Sequence, residues 1–432
     1  MNELKFHFEW EDPAGARGSE LRATWASLRI TVGNDVVTEL FDRFTRSEKE
    51  HLYLPLYPLA EWIAEHWWHL TKEPLTPGRS TSGTYNSRHS LLSSCEGFAM
   101  PSLLIQPHGE TALLTWCAFR YQNSPIRFLS SGEGFAELSQ VEHELRGLVE
   151  SVIQRLEDEG VKDTRLQEEW TAVNSVDAEQ AEFCVSVAAL GLDPFSVAQE
   201  IATTIEGVGD RLPADLYGEF FSAAEPRALA SEIYQLSQDM DHAQTTSISE
   251  LLVRARQELI QDRFADSAAW VRGYNAARTV RTLLPHDAFQ DPHLESLAQL
   301  FGITLALPNQ LPPHRSDWVE ALAQVSGRAS LTYFLPRVNG RKARFTLCRL
   351  LYEYLTAGEN TWRMITHSRT DIQARNRAFA AEFLVPSDIL GTKLSSSVLD
   401  HEEVEDLAFE FGVSSWVVRH QLENHQLAQV IG

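Results

Sequence analysis

Residues 343–355 read ARFTLCRLLYEYL. The stretch predicts a helix, and Arg349 and Glu353, four residues apart, fall on one face within reach of each other. Arg before Glu is the weaker order against the helix dipole. No plausible zinc-ligand pair lies in the stretch. Further helices are expected downstream at TDIQARNRAFAAEFL (370–384), HEEVEDLAFEF (401–411) and SSWVVRHQLENH (414–425). Upstream, GITLAL (302–307) and SLTYFLP (330–336) read as strands, with a proline-rich connection, PNQLPPHRSD (308–317), between them.

Farther out the pattern changes twice. From about 139 to 300 the apolar period is helical: Val141, Leu145, Leu148, Val152 and Leu156 form one stripe, and Gly160 ends it. The first 135 residues or so are rich in strand. Leu4, Phe6, Phe8 and Trp10 alternate in LKFHFEW. One hairpin is expected at Gly33-Asn34-Asp35 and another at Pro107-His108-Gly109. YPLAEWIAEHWWHL (57–70) reads as a short aromatic helix, and 71–87 as a loop. The expected class is α+β: a β-rich N-terminal domain (1–135), a helical middle domain (136–300) and a C-terminal domain (301–432).

The chain has 432 residues, too many for one ordinary core. Its net charge of −23 repels nucleic acid over most of the surface. No apolar run reaches the ~18 residues of a membrane span. The N-terminus lacks the basic start and apolar stretch of a secretory signal. Cys95, Cys117, Cys184 and Cys348 are widely spaced and read as reduced thiols. A cytoplasmic protein with no membrane association is expected.

Phosphate-binding, dinucleotide, nucleophile-elbow and H-E-x-x-H motifs are absent. His66 and His69 are spaced to meet one metal, but on an aromatic helix they read as core or interface groups. Arg88 and His89 beside Glu96 form a polar stretch without decisive spacing. Arg337, Arg341, Lys342 and Arg344 cluster before the 343–355 helix as a candidate grip for phosphate or an acidic partner. Arg272, Arg278 and Arg281 form a second basic group. The last two helices have helix-turn-helix spacing about Gly412, with Val413, Val418 and Leu422 inward. The second of them opens on Ser-Ser-Trp-Val-Val, without the side chains that read bases, and the first carries five acids.

Three segments, in order, resemble the ImmA/IrrE zinc metallopeptidases. RFTLCRLLYEYL resembles that family's R-F-T-x-A-H-E-x-G-H-x-L. RAFAAEFLVP (377–386) resembles A-N-x-F-A-A-E-x-L-x-P. VEDLAFEFGVSSWVVRHQLENHQL resembles the closing helical hairpin. The resemblance covers about residues 300–432 and implies a zincin-like domain there. It also implies that Arg349 stands at the first zinc-histidine position, Leu350 at the general base, Glu353 at the second histidine and Gln373 at the third ligand. Phe345, Leu347, Phe379, Ala380, Ala381, Leu384 and Pro386 keep the framework. Arg349 is a permanent cation and Leu350 accepts no proton, so neither metal nor cofactor is expected. An Arg349–Glu353 pair filling the metal's space is expected instead.

The expected function is therefore a catalytically inactive regulator that binds a protein or peptide, in the bacterial stress or defence settings the family implies. Three alternatives compete with it. One is an enzyme with its active site in residues 1–300. Another is a non-standard metal site of Glu353, His367 and Asp371. The third is a DNA-associated regulator using the terminal hairpin.

Overall fold

The computed structural model describes residues 1–13, 15, 17–77, 82–94, 97–121, 124–259, 268–284, 293–304, 318–336 and 340–431. The chain is mixed α and β, with a strand-rich N-terminal region. It divides into two compact units, Met1–Glu206 and Gly207–Gly432. No helix among the described residues is long and apolar enough to cross a membrane.

In the first unit, strand Leu4–Trp10 pairs antiparallel with Trp25–Val32, which also pairs with Leu52–Pro55. The alternation works as the pleat requires: Leu4 and Phe6 are buried, while Lys5, His7 and Glu9 face out. A second antiparallel sheet runs Gly132–Glu137, Thr111–Trp116, Leu104–His108. Pro107 and His108 belong to its last strand, paired with Ala112 and Thr111, so the turn lies at Gly109–Glu110 rather than at Pro107. Gly109 takes a φ of 72°, where glycine carries no steric penalty. The helix Leu138–Asp158 buries Val141, Leu145, Leu148, Val152 and Leu156 in the same core as these strands.

That shared core means the expected boundary at 135/136 is not where the chain divides. An amphipathic helix must bury its stripe, and here the strands supply the partner. The aromatic helix is two helices, Tyr57–Glu65 and Trp67–Lys72, broken at His66. Ser82–His89, expected as loop, is helical. Its Ser, Gly and Thr are poor helix formers, so packing of Tyr85 and His89, both buried, overrides propensity.

The second unit contains a four-stranded antiparallel sheet in the order Gln244–Ser247, Ser330–Phe334, Ala321–Gly327, Trp362–Ile365. Only Ser330–Phe334 was expected as a strand. The segment 302–307 is described through Thr304 only; there, Gly302 closes the helix Leu294–Phe301 in the left-handed region. The rest of that segment and the proline-rich connection lie outside the described residues. The helices Gly340–Thr356 and Asp371–Leu384 form as expected. They share one apolar core with the helix Ala269–Leu283 and with the terminal hairpin. The expected boundary at 300/301 therefore falls inside a unit.

The helix Ala269–Leu283 lies close against Asp371–Leu384. Arg272 faces Asp371 at 3.4 Å, Arg278 donates to Glu382 at 2.9 Å, and Arg281 donates to the Phe383 carbonyl at 2.7 Å. The second basic group is thus a helix-packing device. Gly273 permits the approach: a Cβ there would sit 2.3 Å from the Arg375 carbonyl oxygen and 2.9 Å from the Phe379 nitrogen. Because those atoms are backbone, Gly273→Ala is expected to destabilise by about 1–3 kcal/mol, measured by urea unfolding. An unchanged midpoint would contradict the close approach.

The terminal hairpin is built locally. Asp400 and Glu403 form a reciprocal capping box at the start of His401–Phe411. Gly412, at φ 64°, ends that helix, and Ser415–Asn424 follows. Val413, Val418 and Leu422 are buried as expected.

Candidate functional site

The centre of the second unit holds a buried polar cluster around Arg349. The helix Gly340–Thr356 presents Arg349 and Glu353, each 2% exposed, toward the helix Asp371–Leu384, which presents Gln373 and Asn376, both fully buried. Arg349 Nε donates to Asn376 Oδ1 at 2.8 Å. Its Nη1 donates to Glu320, which lies just before the strand Ala321–Gly327. Its Nη2 donates to the Thr366 carbonyl at 2.7 Å and to Gln373 Oε1 at 2.5 Å. The guanidinium fork is thereby almost fully used.

Arg349 and Glu353 do not pair with each other as expected. Asn376 stands between them: its Oδ1 accepts from Arg349 and its Nδ2 donates to Glu353 Oε1 at 2.9 Å. The long Arg349 side chain reaches the Glu320 carboxylate instead. Glu353 Oε2 lies 3.8 Å from Arg363. Leu350 is buried in the apolar core of the unit.

A third carboxyl enters from the short helix Tyr217–Ala223. Glu219 accepts from Gln373 Nε2 at 2.6 Å and from the Thr370 hydroxyl at 2.5 Å. Gln373 is therefore held at both ends of its amide, with Nε2 also donating to the Met364 carbonyl at 2.7 Å.

Environment sorts the acids. Burial would raise Glu320, but Arg349, His367 and Lys342 outweigh it and hold its pKa low. Burial raises Glu219, whose bonded donors are neutral, and pushes Glu353 up to about 7 despite the Asn376 hydrogen bond. Burial also draws Arg377 down to about 9, helped by the charge of Arg349. The cluster thus contains one tight ionic pair, Arg349–Glu320, among carboxyls biased toward their neutral form.

Because Glu353 is raised, its contribution to stability is fully present below the unfolded value near 4.5 and is lost as pH rises through about 7. Glu353→Gln is expected to stabilise the protein at pH 8 by on the order of 2 kcal/mol and far less at pH 5. Equal effects at the two pH values would contradict the raised pKa.

Zinc does not fit these residues. Arg349 has no lone pair to give, Leu350 has no polar atom, and both Gln373 and Asn376 are committed to protein partners. Nor do Glu353, His367 and Asp371 converge. His367 Nε2 lies 3.3 Å from Glu320, and Asp371 faces Arg272 and Arg375. Among the described residues no group of three His, Cys, Asp or Glu side chains is arranged to hold a metal.

The basic group before the helix disperses. Arg344 is buried and donates to the Phe411 and Gly412 carbonyls at the end of a hairpin helix. Lys342 Nζ reaches Glu320 at 3.0 Å. Arg341 lies over the Phe409 ring at 5.7 Å. These three do not form a common grip, because each has a different neighbour; Arg337 lies outside the described residues.

The first unit has its own buried ionic centre. Glu73, 3% exposed, accepts from Arg88 Nη2 at 2.5 Å and Nε at 2.9 Å. His89 Nε2 lies 3.1 Å and His69 Nδ1 3.0 Å from Glu73 Oε2. Burial would raise Glu73, but His69, His89 and Arg88 hold it well below the usual range. His89 Nδ1 also meets the Ile105 carbonyl at 2.8 Å. Both ring nitrogens of His89 thus face acceptors, which the ring satisfies fully only as imidazolium, while burial pushes it toward the neutral form. His66 instead stacks on Trp62 at 4.9 Å, so the spaced histidines have separate partners. Glu96 lies outside the described residues; the acid that Arg88 and His89 meet is Glu73.

A cavity of about 520 Å³ also opens in this unit, lined by Asn86, Ser87, Ser90, Ser102, Thr115 and Cys117 among others. None of its lining side chains is a carboxylate, a histidine or a cation.

Four residues central to these clusters were not picked out from sequence: Glu73, Glu219, Glu320 and Asn376. Two carried a local signal, since Glu73 follows His69 by four residues, just past the end of its helix, and Asn376 follows Gln373 by three on a shared helical face. Glu219 and Glu320 carried none.

A comparison of the chain with protein-family profiles, curated proteins and solved structures finds no match.

Proposed function

We propose that the C-terminal part of this chain is a zincin-like domain of ImmA/IrrE type that has lost its metal chemistry, and that the protein is a pseudo-peptidase acting as a regulator or partner-binding protein in a bacterial stress or defence setting. The observation that carries this reading is the Arg349 guanidinium at the meeting point of the two helices. It is bonded at once to Glu320, Gln373, Asn376 and the Thr366 carbonyl. Gln373 and Arg349, assigned by resemblance to ligand positions on separate helices, are in direct contact. A built-in cation takes the place an ion would need, and the carboxyls around it are shielded from water.

Such a cluster organises structure and cannot hydrolyse a peptide bond by the metal route, since no base stands at Leu350 and no ligand at Arg349. In a peptide-cleavage assay, the chain with added zinc is expected to turn over no faster than Glu353→Ala. Turnover that disappears in Glu353→Ala would sink the reading.

A further inference from the structure

Two kinds of structure meet at the 520 Å³ cavity of the first unit. One is the antiparallel pair Leu104–His108 and Thr111–Trp116, where Leu104 and Thr115 are cross-strand partners and so share a face. The Ser102 side chain extends that pairing by a step: its Oγ accepts from the Cys117 N–H at 3.1 Å and donates to the Cys117 carbonyl at 3.0 Å. The other is the end of the helix Ser82–His89 with the turn Leu91–Ser94 behind it. One face of that helix is anchored, since Tyr85 and His89 are buried and Arg88 and His89 meet Glu73. Asn86 and Ser87, on the opposite face, are exposed and line the cavity. They form helix poorly and add no packing, so the fold alone gives no reason for them.

The polar groups of this cavity are largely unspent. The side chains of Asn86, Ser93 and Thr115 line it and have no hydrogen-bond partner among the described residues. Together they offer an amide that both donates and accepts, and two hydroxyls that do either. Ser87 and Ser90 keep spare capacity as well. Ser87 Oγ donates to the Thr84 carbonyl at 2.8 Å, and Ser90 Oγ accepts from the Leu92 N–H at 3.3 Å.

We infer that this cavity binds an uncharged polyhydroxyl compound the size of a monosaccharide. Its volume falls in the range of small-molecule sites, about 300–1,000 Å³. Charge narrows the class. An anion would approach against a net charge of −23 and meet no cation among the described lining residues. A cation would leave water without a carboxylate to receive it. Adjacent hydroxyls on a sugar ring suit a set of hydroxyls and one amide, because each group donates to one neighbour and accepts from the next. Leu92 and Leu104 supply apolar area for the C–H face of the ring. The hold of Glu73 on Arg88 and His89 fixes the helix, so Asn86 has less freedom to lose on binding. The site lies within Met1–Glu206 and is independent of the metal question in the C-terminal part.

Cys117 provides the readout. It is exposed and lines the cavity, with its Sγ 3.2 Å from Ser102 Oγ, whereas Cys184 and Cys348 are buried. The full-length chain is treated with iodoacetamide, alone or with glucose, galactose, mannose, N-acetylglucosamine or myo-inositol. Alkylation is followed at the Cys117 peptide by mass spectrometry. At least one of these compounds is expected to slow it by about threefold or more near saturation, while glucose 6-phosphate, glucuronate and glucosamine leave it unchanged. Asn86→Ala and Thr115→Val are each expected to raise the concentration needed for half protection by about threefold to tenfold while melting as the parent does. The inference is overturned if none of the neutral compounds protects, if the charged analogues protect equally, or if both variants are protected like the parent. Protection by uridine alone would overturn it as well, since the cavity would then read a base and not a polyol.

Discussion

Arg349→Met is expected to destabilise the second unit by about 3–5 kcal/mol, read by urea unfolding at neutral pH. Methionine nearly fills the volume, so the loss is not chiefly one of packing. What disappears is the countercharge of Glu320, which is 6% exposed and held ionised mainly by Arg349, and the donors that orient Asn376 and Gln373. Lys342 and His367 still touch Glu320, yet they are about half exposed and cannot bond Asn376 or Gln373 as well. Against a total stability of about 5–15 kcal/mol, the effect is severe. Removing the stranded charge as well, in Arg349→Met/Glu320→Gln, is expected to recover part of the loss. If the double variant is as unstable as the sum of the singles, the pair is not coupled and the account of the cluster is wrong.

The first unit offers a matching experiment. Glu73→Gln keeps the shape of the side chain and removes its charge, leaving Arg88 and His89 without a buried counterion. A loss of about 3–5 kcal/mol is expected, because one carboxylate serves Arg88 and two histidines at once. The pH profile gives the independent check. A carboxyl held far below its ordinary value adds stability that is fully present above about 4.5 and is lost as pH falls below it. The parent should therefore lose stability on acidification below about pH 4.5 more steeply than Glu73→Gln. Parallel profiles would show that Glu73 is not the anchor of this centre.

What could be read from sequence follows a physical divide. The helix at 343–355 and the terminal hairpin were legible from their apolar positions and, in the hairpin, a Gly412 stop, whereas the helix at 370–384 buries Asp371, Gln373, Asn376 and Glu382 along with its apolar residues. Arg349 and Gln373 were placed at ligand positions on separate helices by the resemblance alone, and the structure shows their side chains in contact at 2.5 Å. The direct Arg349–Glu353 pair was not realised, because helical spacing says which residues share a face and nothing about what the opposite helix inserts. Asn376 is that insertion. Glu219 and Glu320 were out of reach altogether, since long-range packing brings them in and no local pattern marks them. The strand Trp362–Ile365 was missed for a related reason: its side chains are all at least half buried, so it shows no alternation. The helix Ser82–His89 was missed because its composition argues for loop, and buried Tyr85 and His89 decide otherwise.

We propose that the Arg349 guanidinium stands where a metal ion would sit in a zincin-like domain. Zinc titration of the purified full-length chain, followed by dialysis and metal analysis, tests it most directly. The account predicts only trace zinc and a melting temperature indifferent to zinc and to chelator. One tightly held zinc per chain, lost in Glu353→Ala, would contradict it.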